Sequence, residues 1–262
     1  PQHMLKLVSC KEVKVLQMDL SDINEYKRLP EVDVIVHSAG YAQPTLFMSD
    51  PIKTLQINTS ATIALLKQLK SGGSFLFISS SEVYCGLTDL VFSEDNIGTT
   101  TPYHPRASYI EGKKSGEVVC NAFRSQGVRA ISVRLGDIYG PGTRKDDKRA
   151  LNSFIEKALF NQSINLLDAG TAMRTYCYVS DVLQLLLKIL YYGNQAVYNV
   201  GGYSYVSIAE LAKIIGGIIH VPVIFPSNEM QIVGSPKMLQ LNLDRIETEF
   251  GKIKYIELEE GL

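Results

Sequence analysis

Hydrophobic runs alternate with longer amphipathic segments along most of this chain. The short apolar runs predict strands at residues 13–18, 32–37, 74–79, 129–135 and 197–200. Apolar residues at helical spacing predict helices over about residues 51–70, 109–126, 150–161, 181–191 and 208–219. A regular alternation of strand-like and helix-like segments is typical of βαβ units. The pattern therefore predicts an α/β protein built on a parallel sheet.

The alternation is densest before about residue 140, where Gly140-Pro141-Gly142 interrupts it. The pattern becomes less regular after this break. We therefore predict a sheet domain over residues 1–140. Residues 141–262 are predicted to form mainly a smaller lobe, with some segments returning to the sheet.

Composition narrows the class of protein. The net charge is −1, so the chain lacks the basic excess typical of nucleic-acid-binding proteins. No apolar run approaches the roughly 20 residues needed to cross a membrane. The cysteines and histidines are scattered, which argues against a disulfide framework and against a metal site. These observations predict a cytoplasmic protein with free thiols. The four cysteines are Cys10, Cys85, Cys120 and Cys177.

Tyr109 and Lys113 are the most informative pair of side chains. They lie four residues apart on a predicted helix and therefore share one face. A free tyrosine has a pKa of about 10, and a nearby ammonium favours the phenolate and lowers that pKa. Such a pair can exchange a proton with a substrate hydroxyl near neutral pH. The spacing alone fits a tyrosine packed on a lysine stem equally well.

Polar clusters follow several predicted strands. The segments at residues 78–84, 134–141 and 174–181 are rich in Ser, Glu, Asp, Arg and Tyr. Ligands of open α/β sheets bind beyond the carboxyl ends of the strands. The clusters therefore predict a site at that edge, together with the helix that carries Tyr109.

Together these segments resemble the extended short-chain dehydrogenase/reductase family of nucleotide-sugar epimerases and dehydratases, from about residue 13 to 262. Within it, the segments 50–59, 79–84 and 105–113 are most similar to UDP-glucuronate decarboxylases. The resemblance implies a Rossmann-like, doubly wound parallel sheet with a smaller C-terminal substrate lobe. It also implies NAD as cofactor, a nucleotide-diphosphate sugar as substrate, and a homodimer formed by the helices at about residues 51–70 and 109–126.

The resemblance also implies roles for individual residues. Ser80 would bind the reacting hydroxyl, Tyr109 would take its proton as hydride leaves C4, Lys113 would hold the nicotinamide ribose, and Glu82 would serve decarboxylation. The residues placed beside the cofactor, in addition to Tyr109 and Lys113, are Asp19, Leu20, Ser38, Ala39 and Gly40. The residues placed beside the substrate are Ser81, Asp137 and Arg174. The mixed-charge run 144–149, which begins with Arg144, is either a solvated loop or a segment that folds over the diphosphate.

The chain departs from the family pattern at three places. Asp137 stands where the family usually has a substrate-binding asparagine, and Cys85 is inserted between Tyr84 and Gly86. No glycine-rich turn precedes Asp19, so the first strand and helix of a Rossmann fold are expected to be missing. Either the sequence lacks the start of a full enzyme, or it is a short form unable to hold NAD. In both cases we expect the 262-residue chain to be poorly stable.

The leading functional prediction is NAD-dependent modification of a nucleotide sugar through a 4-keto intermediate, specifically UDP-glucuronate decarboxylation. A sugar 4,6-dehydratase and a 4-epimerase are the alternatives of the same class. The alternative of another class is a non-catalytic protein that keeps the fold without binding NAD.

Overall fold

The computed structural model describes residues 12–89, 91–144, 147–227 and 240–262. Its elements begin with β1 (Val32–His37), α1 (Pro44–Ser49), α2 (Pro51–Asn58), α3 (Ser60–Leu66), β2 (Leu69–Ser80), α4 (Ala107–Arg124) and β3 (Arg129–Leu135). They continue with β4 (Asp137–Tyr139), α5 (Ala150–Asn161), β5 (Ile164–Asn165), β6 (Met173–Tyr178), α6 (Val179–Tyr192), β7 (Val197–Val200), β8 (Ser204–Ser207), α7 (Ile208–Ile219), β9 (Val223–Ile224), α8 (Asp244–Phe250) and α9 (Leu258–Gly261). Short 3₁₀ helices cover Ile23–Arg28 and Ser81–Tyr84.

The main sheet has the strand order β1-β2-β3-β7, and all of these pairings are parallel. Its centre is buried on both faces, since Phe75, Leu76 and Phe77 of β2 are at most 1% exposed. Strands covered on both sides read as continuous apolar runs, which is why the sequence pattern finds them. The predicted α/β class with a parallel sheet is confirmed.

Helices cover the two faces of this sheet. Phe75 and Phe77 pack in one cluster with Leu66 of α3 and Cys120 of α4. Leu76 belongs to a second cluster on the opposite side of β2, which includes residues of β3, α6, β7 and α8. Because successive side chains of a strand point to opposite faces, the two clusters place the sheet between two helical layers.

The remaining elements form a separate packing unit. Strands β4, β6 and β8 make a three-stranded sheet, and β5 pairs with β9. The helices α5 and α7 pack here around a third cluster that includes Phe154, Leu211 and Ile215. The chain passes from the main sheet into this unit at Gly136, between β3 and β4, so the ends of β2 and β3 face it.

Several predicted elements have the bounds seen in the structure, namely β1, β3, α5, β7 and α7. The strand predicted at residues 13–18 is wrong. Val13, Val15 and Leu16 are 39–61% exposed, and no strand in the described part of the chain offers them hydrogen bonds.

The helix predicted over residues 51–70 is shorter and divided. It breaks at Thr59, which has φ −114° and ψ −75°, and β2 already begins at Leu69. The hydroxyls of Thr54, Thr59 and Thr62 each donate to the carbonyl four residues earlier. Such back-bonding bends helices, and it accompanies the break.

Candidate active site

A cavity of about 440 Å³ lies beyond the carboxyl ends of β1, β2 and β3, against the smaller unit. It brings together many of the residues predicted for a site from distant parts of the chain. Those that line it are Ser38, Gly40, Ser80, Ser81, Glu82, Tyr109, Lys113, Asp137 and Arg174.

Tyr109 lies in the first turn of α4 and is 7% exposed. Its ring stacks on Phe47 of α1 with centroids 4.5 Å apart, and its side chain lines the pocket together with that of Ser80. Burial raises the pKa of Tyr109 to about 12, opposed first by the neighbouring Ser80 hydroxyl and then by the charge of Arg149. The net pKa of Tyr109 is therefore raised and not lowered, because burial outweighs the neighbouring positive charge.

Lys113 lies one helical turn beyond Tyr109 and is almost fully buried. Its Nζ donates to the carbonyl of Ile78 at 2.7 Å and lies 5.8 Å from the centroid of the Tyr109 ring. Burial lowers the pKa of Lys113 to about 8. The ammonium also adjoins Gly40, where an added Cβ would lie 3.8 Å from Nζ. Lys113 thus joins the end of β1 to the end of β2.

The end of β2 turns directly into a 3₁₀ helix, and this turn places Glu82 in the pocket. The Ser80 hydroxyl accepts a hydrogen bond from the Glu82 amide at 3.2 Å. The Glu82 carboxylate forms an ion pair with Arg106, the residue that caps α4. Arg106 was given no role in the sequence analysis. The available signal was its place in the 105–113 segment, directly before the helix of Tyr109.

Arginines and a carboxylate line the opposite wall of the pocket. Nε of Arg174 lies 3.8 Å from Oδ2 of Asp137, whose side chain is 37% exposed. Burial in the pocket raises the pKa of Asp137, opposed first by Arg174 and then by Arg149. Arg149, also missed by sequence reasoning, is held by Asp147 at 2.6 Å. With Arg106, these guanidiniums suit an anionic ligand.

Four of the predicted site residues lie outside the lining of this cavity. Asp19 accepts hydrogen bonds from Lys53 Nζ at 2.7 Å and from Ser21, and these bonds lower its pKa to about 2. The carbonyl of its neighbour Leu20 accepts from Tyr26 at 2.9 Å. Arg144 is exposed, and Ala39 is partly buried.

Two buried polar atoms near the end of β1 have no hydrogen-bond partner among the described residues. They are Nδ1 of His37 and Oδ1 of Asn58. The Nε2 atom of His37 lies 3.1 Å from the carbonyl oxygen of Ile57. Burial lowers the pKa of His37 to about 4, so the ring is neutral at pH 7.

The sequence is similar to one protein family and to several named proteins. The profile described as "NAD dependent epimerase/dehydratase family" matches residues 3–201. UDP-glucuronic acid decarboxylase 1 of Xenopus tropicalis is 35% identical over 187 residues, which are 71% of this chain and 44% of that protein. UDP-glucuronic acid decarboxylase 3 of Arabidopsis thaliana is 29% identical over 240 residues, 89% of this chain and 69% of that protein. The chain therefore spans less than half of the frog relative.

Solved structures share the fold. The dTDP-glucose 4,6-dehydratase DesIV from Streptomyces venezuelae, with NAD and DAU bound, has a TM-score of 0.84 at 19% identity, covering 99% of this chain and 80% of that chain. MoeE5 in complex with UDP-glucuronic acid and NAD has a TM-score of 0.79 at 24% identity, covering 94% and 82%. These likenesses confirm the predicted Rossmann-like class.

Proposed function

Because the chain belongs to the NAD dependent epimerase/dehydratase family, we propose that it modifies a nucleotide-diphosphate sugar through a 4-keto intermediate with NAD as cofactor. The proposed reaction is decarboxylation of UDP-glucuronate. The observation that carries this proposal is the convergence of Ser80, Glu82, Tyr109 and Lys113 in one pocket. The similarity to proteins named UDP-glucuronic acid decarboxylases supports the choice of substrate.

The end of β1 fits the proposed cofactor. Lys113 and the backbone at Ser38 and Gly40 would hold its ribose, since all three line the same pocket. The absence of a side chain at Gly40 leaves the ammonium of Lys113 open on that side. The buried Nδ1 atom of His37 is a polar atom that finds no partner within the described ranges. NAD, when bound, supplies a hydride acceptor that later returns the hydride.

Tyr109 and Ser80 would handle the proton of the sugar hydroxyl. Both side chains line the pocket, so a substrate hydroxyl would enter beside them. Because burial raises the pKa of Tyr109 to about 12, the proposed base would need more positive charge beside it than Arg149 supplies. Tyr109 would then act as a general base on the hydroxyl that Ser80 holds.

The arginines would orient the anionic groups of the substrate. A guanidinium binds carboxylate or phosphate in a bidentate manner, and Arg149 and Arg174 both line the cavity. Oxidation at C4 makes a ketone β to the C5 carboxylate, and such an acid loses carbon dioxide readily. The Glu82–Arg106 pair lies beside the end of β2, where this step is proposed.

We also propose that the protein is a cytoplasmic homodimer that joins through α2 and α4. Ile52 of α2 is 65% exposed and Val118 of α4 is 67% exposed, so both helices present apolar side chains to solvent. No helix within the described ranges is long and apolar enough to cross a bilayer.

A substrate panel tests the proposed reaction. The purified protein is incubated with NAD and, separately, UDP-glucuronate, UDP-glucose and dTDP-glucose. We expect carbon dioxide and a UDP-pentose from UDP-glucuronate alone. A 4-keto-6-deoxy sugar from dTDP-glucose would instead identify a 4,6-dehydratase, and an inverted C4 centre a 4-epimerase. Failure to bind NAD and to turn over any substrate would favour the non-catalytic alternative.

A further inference from the structure

The carboxylate of Glu117 joins three parts of the site. It lies on α4, one turn beyond Lys113, and is 14% exposed. Its Oε1 accepts from the hydroxyl of Ser79 in β2 at 2.5 Å and from Nε of Arg134 in β3 at 3.0 Å. Its Oε2 accepts from Nη2 of Arg134 at 2.8 Å. A charged pair this buried and bidentate has little freedom to move.

Two consecutive residues of β2 bind two successive turns of α4. The carbonyl of Ile78 accepts from Lys113 at 2.7 Å. Ser79 donates to the carboxylate just described. The next residue of the strand, Ser80, lines the pocket with Tyr109. The contact through Ser79 therefore helps to hold the end of β2 against the helix that carries Tyr109.

Glu117 lies one helical turn beyond Lys113 on the same helix, so its carboxylate is an anion on the same face as that ammonium. The other titratable groups near this ammonium are His37 at the end of β1 and Tyr109 on the same helix, and β2 contributes the Phe77 ring at 5.0 Å. His37 is neutral at pH 7, because burial lowers its pKa to about 4. Burial lowers the pKa of Lys113, and Glu117 opposes that effect.

We propose that Glu117 is a positioning residue of this site: bonded to Ser79 and Arg134 one helical turn beyond Lys113, its carboxylate fixes the end of β2 that carries Ser80 and sets the electrostatic field at the Lys113 ammonium. Glu117 is not among the described residues that line the cavity, so it acts through its neighbours. The effect on turnover rests on the proposed function. The effect on Lys113 is independent of it.

The test is an NMR titration of the Lys113 side chain, with the signal assigned by its loss in Lys113→Met. In Glu117→Gln we expect the titration midpoint to fall by about one pH unit, since a nearby opposite charge is lost. The matched control is Glu111→Gln on the same helix, whose carboxylate binds Lys114 and Thr100. That variant should leave the midpoint in place. An unmoved midpoint in folded Glu117→Gln would overturn the proposal.

A double variant keeps the proposal testable if Glu117→Gln alone does not fold. Glu117→Gln leaves the buried guanidinium of Arg134 unpaired, whereas Glu117→Gln with Arg134→Met removes both charges. Neutral replacement of a buried ion pair is often tolerated, and because the Arg134 cation is lost as well, the midpoint of Lys113 should fall less than in the single variant.

Activity measurements separate this proposal from the proposed function. If the protein decarboxylates UDP-glucuronate, the alkaline limb of its kcat/KM profile should shift down in both variants by the same interval as the midpoint. A lowered midpoint without turnover in the wild type would support the role of Glu117 and contradict the reaction. Normal turnover with an unmoved midpoint and an unmoved alkaline limb would support the proposed reaction and contradict the role of Glu117.

Discussion

Arg106 and Glu82 form a buried ion pair directly in front of the helix that carries Tyr109. Their side chains are only 10% and 18% exposed. The second carboxylate oxygen of Glu82 has no hydrogen-bond partner in the described part of the chain. Arg106 also lies 5.9 Å from the centroid of the Phe47 ring, on which Tyr109 stacks. The pair therefore holds a carboxylate in the same pocket as the hydroxyls of Ser80 and Tyr109, with one oxygen left unsatisfied by the described residues.

Replacing Glu82 by Gln tests whether that carboxylate is needed. The proposed decarboxylation depends on it, so we expect the release of carbon dioxide from UDP-glucuronate to slow by about 10²-fold or more. The control is Glu25→Gln, which breaks an exposed ion pair with Arg28 and should leave the rate unchanged. Full turnover in Glu82→Gln would exclude a Glu-dependent decarboxylation.

Tyr109→Phe removes one hydroxyl and keeps the ring that stacks on Phe47. We expect kcat to fall by about 10²–10⁴-fold, since a general base is lost, while the melting temperature changes little. Tyr103→Phe is the control, because Tyr103 is 95% exposed and precedes the same helix. A Tyr109→Phe protein that retains its kcat would show that another group takes the proton.

Asp137→Asn removes a negative charge from the wall of the pocket that carries Arg174. The carboxylate of Asp137 lies 3.8 Å from Nε of Arg174 and competes with an anionic ligand for that guanidinium. We expect KM for UDP-glucuronate to fall by roughly threefold to tenfold, equivalent to about 1 kcal/mol. The control Asp33→Asn changes a carboxylate whose side chain is 79% exposed. A higher KM in Asp137→Asn would indicate that the carboxylate itself binds the sugar.

Gly116→Ala tests how closely α4 must approach β2. A Cβ at Gly116 would lie 2.3 Å from the ring of Phe77. Because neither the α4 backbone nor the buried Phe77 ring can shift easily, we expect stability to fall by about 1–3 kcal/mol. The melting temperature should be lower by several degrees. At Gly217 an added Cβ meets nothing within 4 Å. There alanine should stabilise the helix by up to about 1 kcal/mol. Equal effects at both sites would contradict the tight approach.

His37 makes stability depend on pH. Its pKa is about 4 when folded and about 6.5 when unfolded, so the unfolded chain binds the extra proton between these values. The free energy of unfolding should therefore be highest above pH 6.5 and decrease towards pH 4 by about 3 kcal/mol from this group. Urea unfolding at pH 7 and pH 4.5 measures the difference, which His37→Asn should reduce. His220→Asn, at the end of α7, is the control.

The central strand of the main sheet was predictable because burial on both faces makes its middle residues apolar, as Phe75–Phe77 show. Strands β6 and β8 were missed, since they belong to a small sheet and mix polar with aromatic residues. The segment 13–18 has a strand-like composition, but no described strand pairs with it. Propensity cannot supply a hydrogen-bonding partner.

The residues of the site also differ in how far local sequence features predict them. Ser80, Tyr109 and Lys113 follow from a strand end and a helical spacing, which are local features. Arg149 reaches the pocket only through tertiary packing of the smaller unit, and no spacing in the chain links it to Tyr109. The raised pKa of Tyr109 is likewise a consequence of burial that the Tyr–Lys spacing does not contain.

The contacts of β2 with successive turns of α4 divide the site into parts that can change at different cost. A substitution in the strand or the helix alters the arrangement around Tyr109 and Lys113 as a whole, because each contact depends on the same approach. The opposite wall, with Asp137 and Arg174, comes from other elements and can be altered residue by residue. A change in ligand preference would therefore arise most readily on that wall, while the Tyr109–Lys113 arrangement stays intact.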